Sequence, residues 1–113
     1  MANVYGTFIL SMDKNKFSGE FFNNKMKTFS HEQVRLLERG NADFVGRYEA
    51  NWQEDSGSVS AALEIDLESD DIYILSWEDV RLNGELQTVN FTGRGVVRNG
   101  TLFCVYEMHW PNE

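Results

Sequence analysis

From Ser58 to Glu68 apolar and polar side chains alternate: Val59, Ala61, Leu63, Ile65 and Leu67 occupy one set of positions, and Ser58, Ser60, Glu64, Asp66 and Glu68 the other. Successive side chains of a strand point to opposite faces, so this run reads as a β-strand with one face buried and one in water. The same period of two places Phe44, Gly46, Tyr48, Ala50 and Trp52 on one face of the preceding strand, and Tyr73, Leu75 and Trp77 on one face of the next. Val89, Phe91, Gly93, Gly95 and Val97 follow in the same way. In the last run Leu102, Cys104, Tyr106 and Met108 are the more apolar set, although Phe103 and Val105 make the opposite face nearly as apolar. Asn83-Gly84 and Asn99-Gly100 lie between such runs and suit the two positive φ angles of a type I′ hairpin turn. Ser56-Gly57 and Ser69-Asp70-Asp71 mark two further turns. Five strands joined as an antiparallel meander are therefore predicted between Ala42 and Trp110.

The N-terminal third carries two different signals. Val4 to Met12 and Lys16 to Phe22 form a predicted hairpin around Asp13-Lys14-Asn15, with Val4, Gly6, Phe8, Leu10 and Met12 facing inward. Between that hairpin and the meander, Ser30 has the character of a helix N-cap and Gln33 that of its reciprocal partner in a capping box. Phe29 and Val34 are spaced as a hydrophobic staple, and Gly40 as a helix stop, so a short α-helix near residues 31-39 is predicted. The fold expected is mostly β: a small antiparallel meander β-barrel of six to eight strands with that one helix, in a single domain over residues 1-113. Glycines favour the barrel over an open curved sheet. Phe-x-Gly occurs as FSGE, FVGR and FTGR, and a glycine on an inward face lets a strand coil and lets a neighbouring aromatic lie across the backbone.

The stretches FVGRYEANW, YILSW and FTGRGVVRNGTLFCVYEM give the chain a resemblance to the calycin group of barrels, which includes the lipocalins, fatty-acid-binding proteins and avidin-like proteins. The similarity covers about residues 42-110 and is one of strand types: a Gly-x-Tyr-x-x-x-Trp strand, an aromatic strand ending in Trp, and a Gly-x-Gly strand leading through Asn-Gly into the last strand. It implies a barrel that binds something and leaves the ligand open. Two departures stand beside it: the lipocalin Gly-x-Trp near the N-terminus is absent, and 113 residues is short for eight strands.

Charge adds a second candidate. The formal net charge is -8, and the whole excess lies in residues 48-80, which hold ten acidic residues and no Lys or Arg. Glu64, Asp66, Glu68, Asp70, Asp71, Glu78 and Asp79 fall on outward faces or in turns, so folding is expected to gather them into one acidic region. Such a region either keeps strand edges apart in solution or engages a basic, nucleic-acid-binding protein, as an inhibitor or immunity-type protein would. Arg47 and Arg94 point outward by the same count and read as counter-charges on its border. Direct nucleic-acid binding is not expected from a chain with only 10 Lys and Arg and no basic stripe.

Catalytic and metal readings are weak. Two histidines and one cysteine without ligand spacing argue against a metal centre, and DLESDD lacks the spacing of a calcium loop. Glu107 and His109 share a strand face but read as solvated side chains, and Cys104 among apolar neighbours reads as an inert core thiol. The chain is therefore expected to be a non-enzymatic binding module with no cofactor. The candidate ligand site is the inward aromatic set Tyr48, Trp52, Tyr73, Trp77, Phe91 and Tyr106, whose hydroxyl and indole tips need polar partners when buried. A small, partly apolar ligand or a basic protein is the expected partner, and homo-oligomerisation is left open. With one cysteine, no signal-peptide pattern and no apolar run approaching the ~20 residues of a spanning helix, a cytoplasmic location away from membranes is expected.

Overall fold

In the computed structural model, which describes residues 3-14 and 16-110, the chain is a closed antiparallel barrel. Its strands are β1 (Tyr5–Asp13), β2 (Lys16–Asn23), β3 (Ser30–Arg39), β4 (Gly46–Glu54), β5 (Gly57–Leu67), β6 (Tyr73–Leu82), the short β7 (Glu85–Leu86), β8 (Asn90–Arg98) and β9 (Thr101–His109). From β1 to β7 each strand pairs with the next, β8 pairs with β9 and β6, and β9 pairs with β1. The pairing of β5 with β6 closes the ring, and β7 extends the β6 edge beyond β8. Eight strands thus close around one interior, and 113 residues hold them because four connections are two-residue turns. At Asn83-Gly84 the φ angles are 51° and 86°, and at Asn99-Gly100 they are 54° and 76°, as type I′ turns require. The β1–β2 connection includes Lys14 in a turn, while Asn15 lies outside the described residues.

The predicted helix at residues 31-39 does not form; that segment is β3, and no helix occurs among the described residues. A helix cap contributes typically about 1 kcal/mol, and an isolated helix of nine residues is marginal in water. Against that, the strand form gains ladders on both sides, with Val34 opposite Phe17 of β2 and Ala50 of β4. It also buries Glu32 and Val34 and half-buries Leu36, all on one face. A polar residue in the inward set hid that alternation from the sequence. Gly40, read as a helix stop, instead donates its N–H to the Val45 carbonyl (2.7 Å) and closes the β3–β4 loop.

The interior is divided along the barrel axis. Leu10 and Leu102 are fully buried, and Phe8, Tyr48, Leu63 and Ile65 are 1% exposed. At the end formed by the β1–β2, β3–β4, β5–β6 and β8–β9 connections, the β3–β4 loop folds inward and inserts Phe44 and Val45. Phe44 takes a left-handed backbone angle (φ 68°) to do so. Its ring meets Phe17 of β2 and Tyr73 of β6 edge-on, at centroid distances of 6.2 and 6.4 Å, and the Tyr48 hydroxyl donates to its carbonyl at 2.8 Å. This end is plugged.

Two bulges adjust the inward pattern. One extra residue enters β3 between Leu36 and Glu38, leaving Leu37 outside. Another enters β6 opposite the Ser60–Ala62 step, where Asp79 has φ 50°, so that Trp77 and Val80 both face in across a three-residue interval.

Candidate ligand-binding cavity

The opposite end, where β2, β4, β6 and β9 finish, is open. A cavity of about 490 Å³ enters the barrel there, lined by Phe8, Phe21, Asn23, Glu32, Trp52, Trp77, Phe91 and Tyr106, with Lys25, Met26, Glu54 and Asp55 near its mouth. At this end the Asp55-Ser56 turn has no chain to spare for folding inward, and the six residues between β2 and β3 reach the mouth with Lys25 and Met26 without filling the interior, unlike the β3–β4 loop at the plugged end. The walls are aromatic rings in successive contact: Phe21 to Trp52 (6.0 Å between centroids), Trp52 to Phe91 (6.2 Å), Phe91 to Tyr106 (6.1 Å), Tyr106 to Trp77 (6.0 Å) and Trp77 to Phe8 (5.2 Å). Most of these pairs are edge-to-face, a favoured geometry that fixes ring orientation.

The floor is Trp77. Its indole extends across the barrel from β6, touches Phe8 of β1, and donates Nε1–H to Glu32 Oε2 of β3 at 2.9 Å. Two glycines make room for this arrangement. A Cβ on Gly19, the β2 neighbour of Glu32, would lie 2.8 Å from the Phe8 ring. One on Gly93 would lie 2.9 Å from the Val105 carbonyl oxygen and 3.4 Å from Trp77. Both belong to Phe-x-Gly motifs, whose glycines therefore shape the cavity wall and floor.

Glu32 is the one buried charged residue among those described, 5% exposed. Burial pushes its carboxyl up to about 7, because the ionised form loses water; the Trp77 hydrogen bond pulls in the other direction and only partly offsets this. Tyr106 is pushed up to about 12, first by burial, with Asn23 opposing and Glu32 and Glu54 adding to the rise. Its hydroxyl accepts a hydrogen bond from Asn23 Nδ2 (3.0 Å), and Trp52 Nε1 donates to Glu54 Oε2 (2.9 Å).

All six residues of the predicted aromatic site lie on the inward pattern, but the structure divides them. Trp52, Trp77, Phe91 and Tyr106 line the cavity; Tyr48 and Tyr73 belong to the plug. The hydroxyls of Tyr48 and Tyr106 and the indole N–H groups of Trp52 and Trp77 find protein partners, so their burial does not itself demand a ligand. Cavity residues absent from the predicted site include Phe8, Phe21, Asn23, Ser30 and Glu32. Phe8 was legible as an inward residue of the first strand; Glu32 was concealed by the helix reading.

The predicted acidic set is exposed. Glu68 is paired with Arg94, and Asp71 with Arg98 at 3.5 Å. Glu64 and Asp66 line a wide outer depression with Arg94, while Glu78 and Asp79 stand at the β6 bulge. Arg47 lies 3.6 Å from Glu38 of β3. Glu107 and His109 lie 3.6 Å apart on the outer surface, and Cys104 is buried, its thiol pushed up to about 12 by burial. Among the described residues no three His, Cys, Asp or Glu side chains are grouped as metal ligands, and no helix is long and apolar enough to cross a membrane.

Fold and site together define an eight-stranded up-and-down barrel with one plugged end and one aromatic, open end. No protein-family model, curated protein or solved structure matches this chain.

Proposed function

We propose that this protein is a non-enzymatic, calycin-like binding module that holds a small, partly apolar ligand in the open end of its barrel. The observation that carries the reading is the cavity of about 490 Å³ walled by Phe21, Trp52, Phe91 and Tyr106 and floored by Trp77. Ligand pockets are typically concave, largely apolar and supplied with a few fixed polar groups, and cavities of roughly 300–1,000 Å³ are their usual size. Here the fixed groups are Glu32, Asn23 and the Tyr106 hydroxyl. Space is already present, so a ligand would not have to displace core side chains. The outer acidic face is the weaker basis for function, since arginines neutralise Glu68 and Asp71.

The test is titration with Nile red, an uncharged dye whose emission moves to the blue in apolar surroundings. Saturable binding at one dye per chain is expected, with quenching of Trp52 and Trp77. Ser30 lines the cavity, and Ser30→Trp, which would fill it, should abolish the shift. Dye uptake that does not saturate, or that survives Ser30→Trp in a folded variant, would sink the proposal.

A further inference from the structure

The small-ligand reading leaves the ligand's chemistry open, and the polar groups of the cavity narrow it. Glu32 stands at the floor, buried to 5% exposure, with Oε2 occupied by the Trp77 indole. No N–H or O–H among the described residues donates to Oε1. No Lys, Arg or His forms an ion pair with Glu32 among the described residues, so its carboxylate has no internal counter-charge. A buried carboxylate without a cation is costly, and that cost is relieved by a ligand that brings one.

Three more features favour a cation. Glu54 and Asp55 face the mouth against the single base Lys25, which gives the entrance a negative balance. Rings of Trp52, Trp77, Phe91 and Tyr106 surround the space in front of Glu32, and an ammonium within about 6 Å of such rings is attracted by their electron-rich faces. The Trp52 indole holds Glu54 at 2.9 Å, fixing one carboxylate of the rim toward the ring set.

Resting on the small-ligand reading, we infer that the cavity takes a primary or secondary amine with an alkyl or aryl body, its ammonium paired with Glu32 and its apolar part against the aromatic walls. A neutral alcohol of the same shape would fill the walls and leave the carboxylate without a counter-charge. A carboxylic acid would bring a like charge.

The titratable and charged groups sharing the cavity with Glu32 are Tyr106 from β9, Glu54 and Asp55 from the end of β4 and its turn, and Lys25 from the segment after β2. β1, β6 and β8 present Phe8, Trp77 and Phe91, which do not titrate. Amine binding should therefore weaken as pH falls below about 7, the region in which Glu32 takes up its proton.

The experiment is displacement of Nile red by hexylamine, 1-hexanol and hexanoate at pH 8. Hexylamine is expected to bind at least about tenfold tighter than 1-hexanol, the factor that a charge-assisted hydrogen bond supplies, with hexanoate weakest. Glu32→Gln keeps the side-chain shape and should bring hexylamine to the level of 1-hexanol, both measured by displacement against that variant's own Nile red affinity. If that variant does not fold, the unaltered protein decides the matter: between pH 8 and pH 5 the amine's advantage should shrink while Nile red affinity stays constant. Equal binding of amine and alcohol, or an amine advantage independent of pH, overturns the inference and leaves the small-ligand reading intact. Failure of Nile red to bind at all overturns both.

Discussion

At the plugged end Phe17, Phe44, Tyr48 and Tyr73 interlock across the interior, while at the open end Phe21, Trp52, Phe91 and Tyr106 touch one after another around a cavity. Both ends are aromatic, so composition does not separate them. The difference lies in the connections. Residues 40-45 form a loop long enough to turn back into the barrel, and it does so at the cost of a left-handed Phe44. At the open end the turns at Asp55-Ser56 and Asn83-Gly84 only reverse the chain, and the β2–β3 connection over residues 24-29, as long as the plug loop, places Lys25 and Met26 at the mouth and leaves Phe29 exposed. A barrel end closes when a connection turns its apolar side chains inward, as Phe44 and Val45 do; a connection of equal length that leaves Phe29 outside does not close it.

The contrast can be broken most forcefully by two truncations. Leu10 is fully buried, so Leu10→Ala should lower stability by about 2–5 kcal/mol in denaturant unfolding while the surviving folded protein still takes up Nile red. Phe91 is only half-buried, and Phe91→Ala should cost about 1 kcal/mol yet weaken dye binding. If the two truncations cost the same, or if Leu10→Ala is the one that loses the dye, the division into a packed end and a binding end is wrong.

Glu32 gives the next largest effect. Its folded pKa, about 7, stands above the ordinary 4.5, so the folded state holds the proton more tightly than the unfolded chain does. Its contribution to stability is therefore greatest below about 4.5, falls as pH rises to about 7, and stays low above that. In Glu32→Gln this dependence disappears. Relative to the unaltered protein, the variant should gain stability between pH 4 and pH 8, with about 3 kcal/mol as the ceiling set by the shift. Urea unfolding of both proteins across that range checks it, and parallel pH profiles would count against an uncompensated carboxyl at the cavity floor.

Much of the barrel was legible because its strands obey one rule. Val59, Ala61, Leu63 and Ile65 alternate and are buried, and both Asn-Gly pairs form the hairpins their backbone preferences require. Four of the six predicted aromatic residues meet at the cavity for the same reason. What could not be read was whatever depended on distant partners. β3 is a strand because β2 and β4 flank it, a fact absent from its own nine or ten residues, and with it went Glu32, the polar centre of the site. The separation of Tyr48 and Tyr73 from the other four depends on the Phe44 plug, which period-two counting placed in a strand.

The smallest expected effect separates the rims of the two ends. At the plugged end the outer acids Glu68 and Asp71 are paired with Arg94 and Arg98, whereas at the mouth Glu54 and Asp55 form no ion pair among the described residues. The Arg94–Glu68 pair is exposed on both sides, so solvent screens it and ordering two long side chains offsets part of the attraction. A double-mutant cycle with Arg94→Ala and Glu68→Ala should return a coupling of at most about 1 kcal/mol at low salt. In 1 M NaCl, where the screening length falls to about 3 Å, the coupling should vanish. A larger coupling that persists in salt would mean that charge, and not the Phe44 plug, fastens the closed end. The plug account requires the opposite, because apolar packing between Phe17, Phe44 and Tyr73 is not weakened by added sodium chloride.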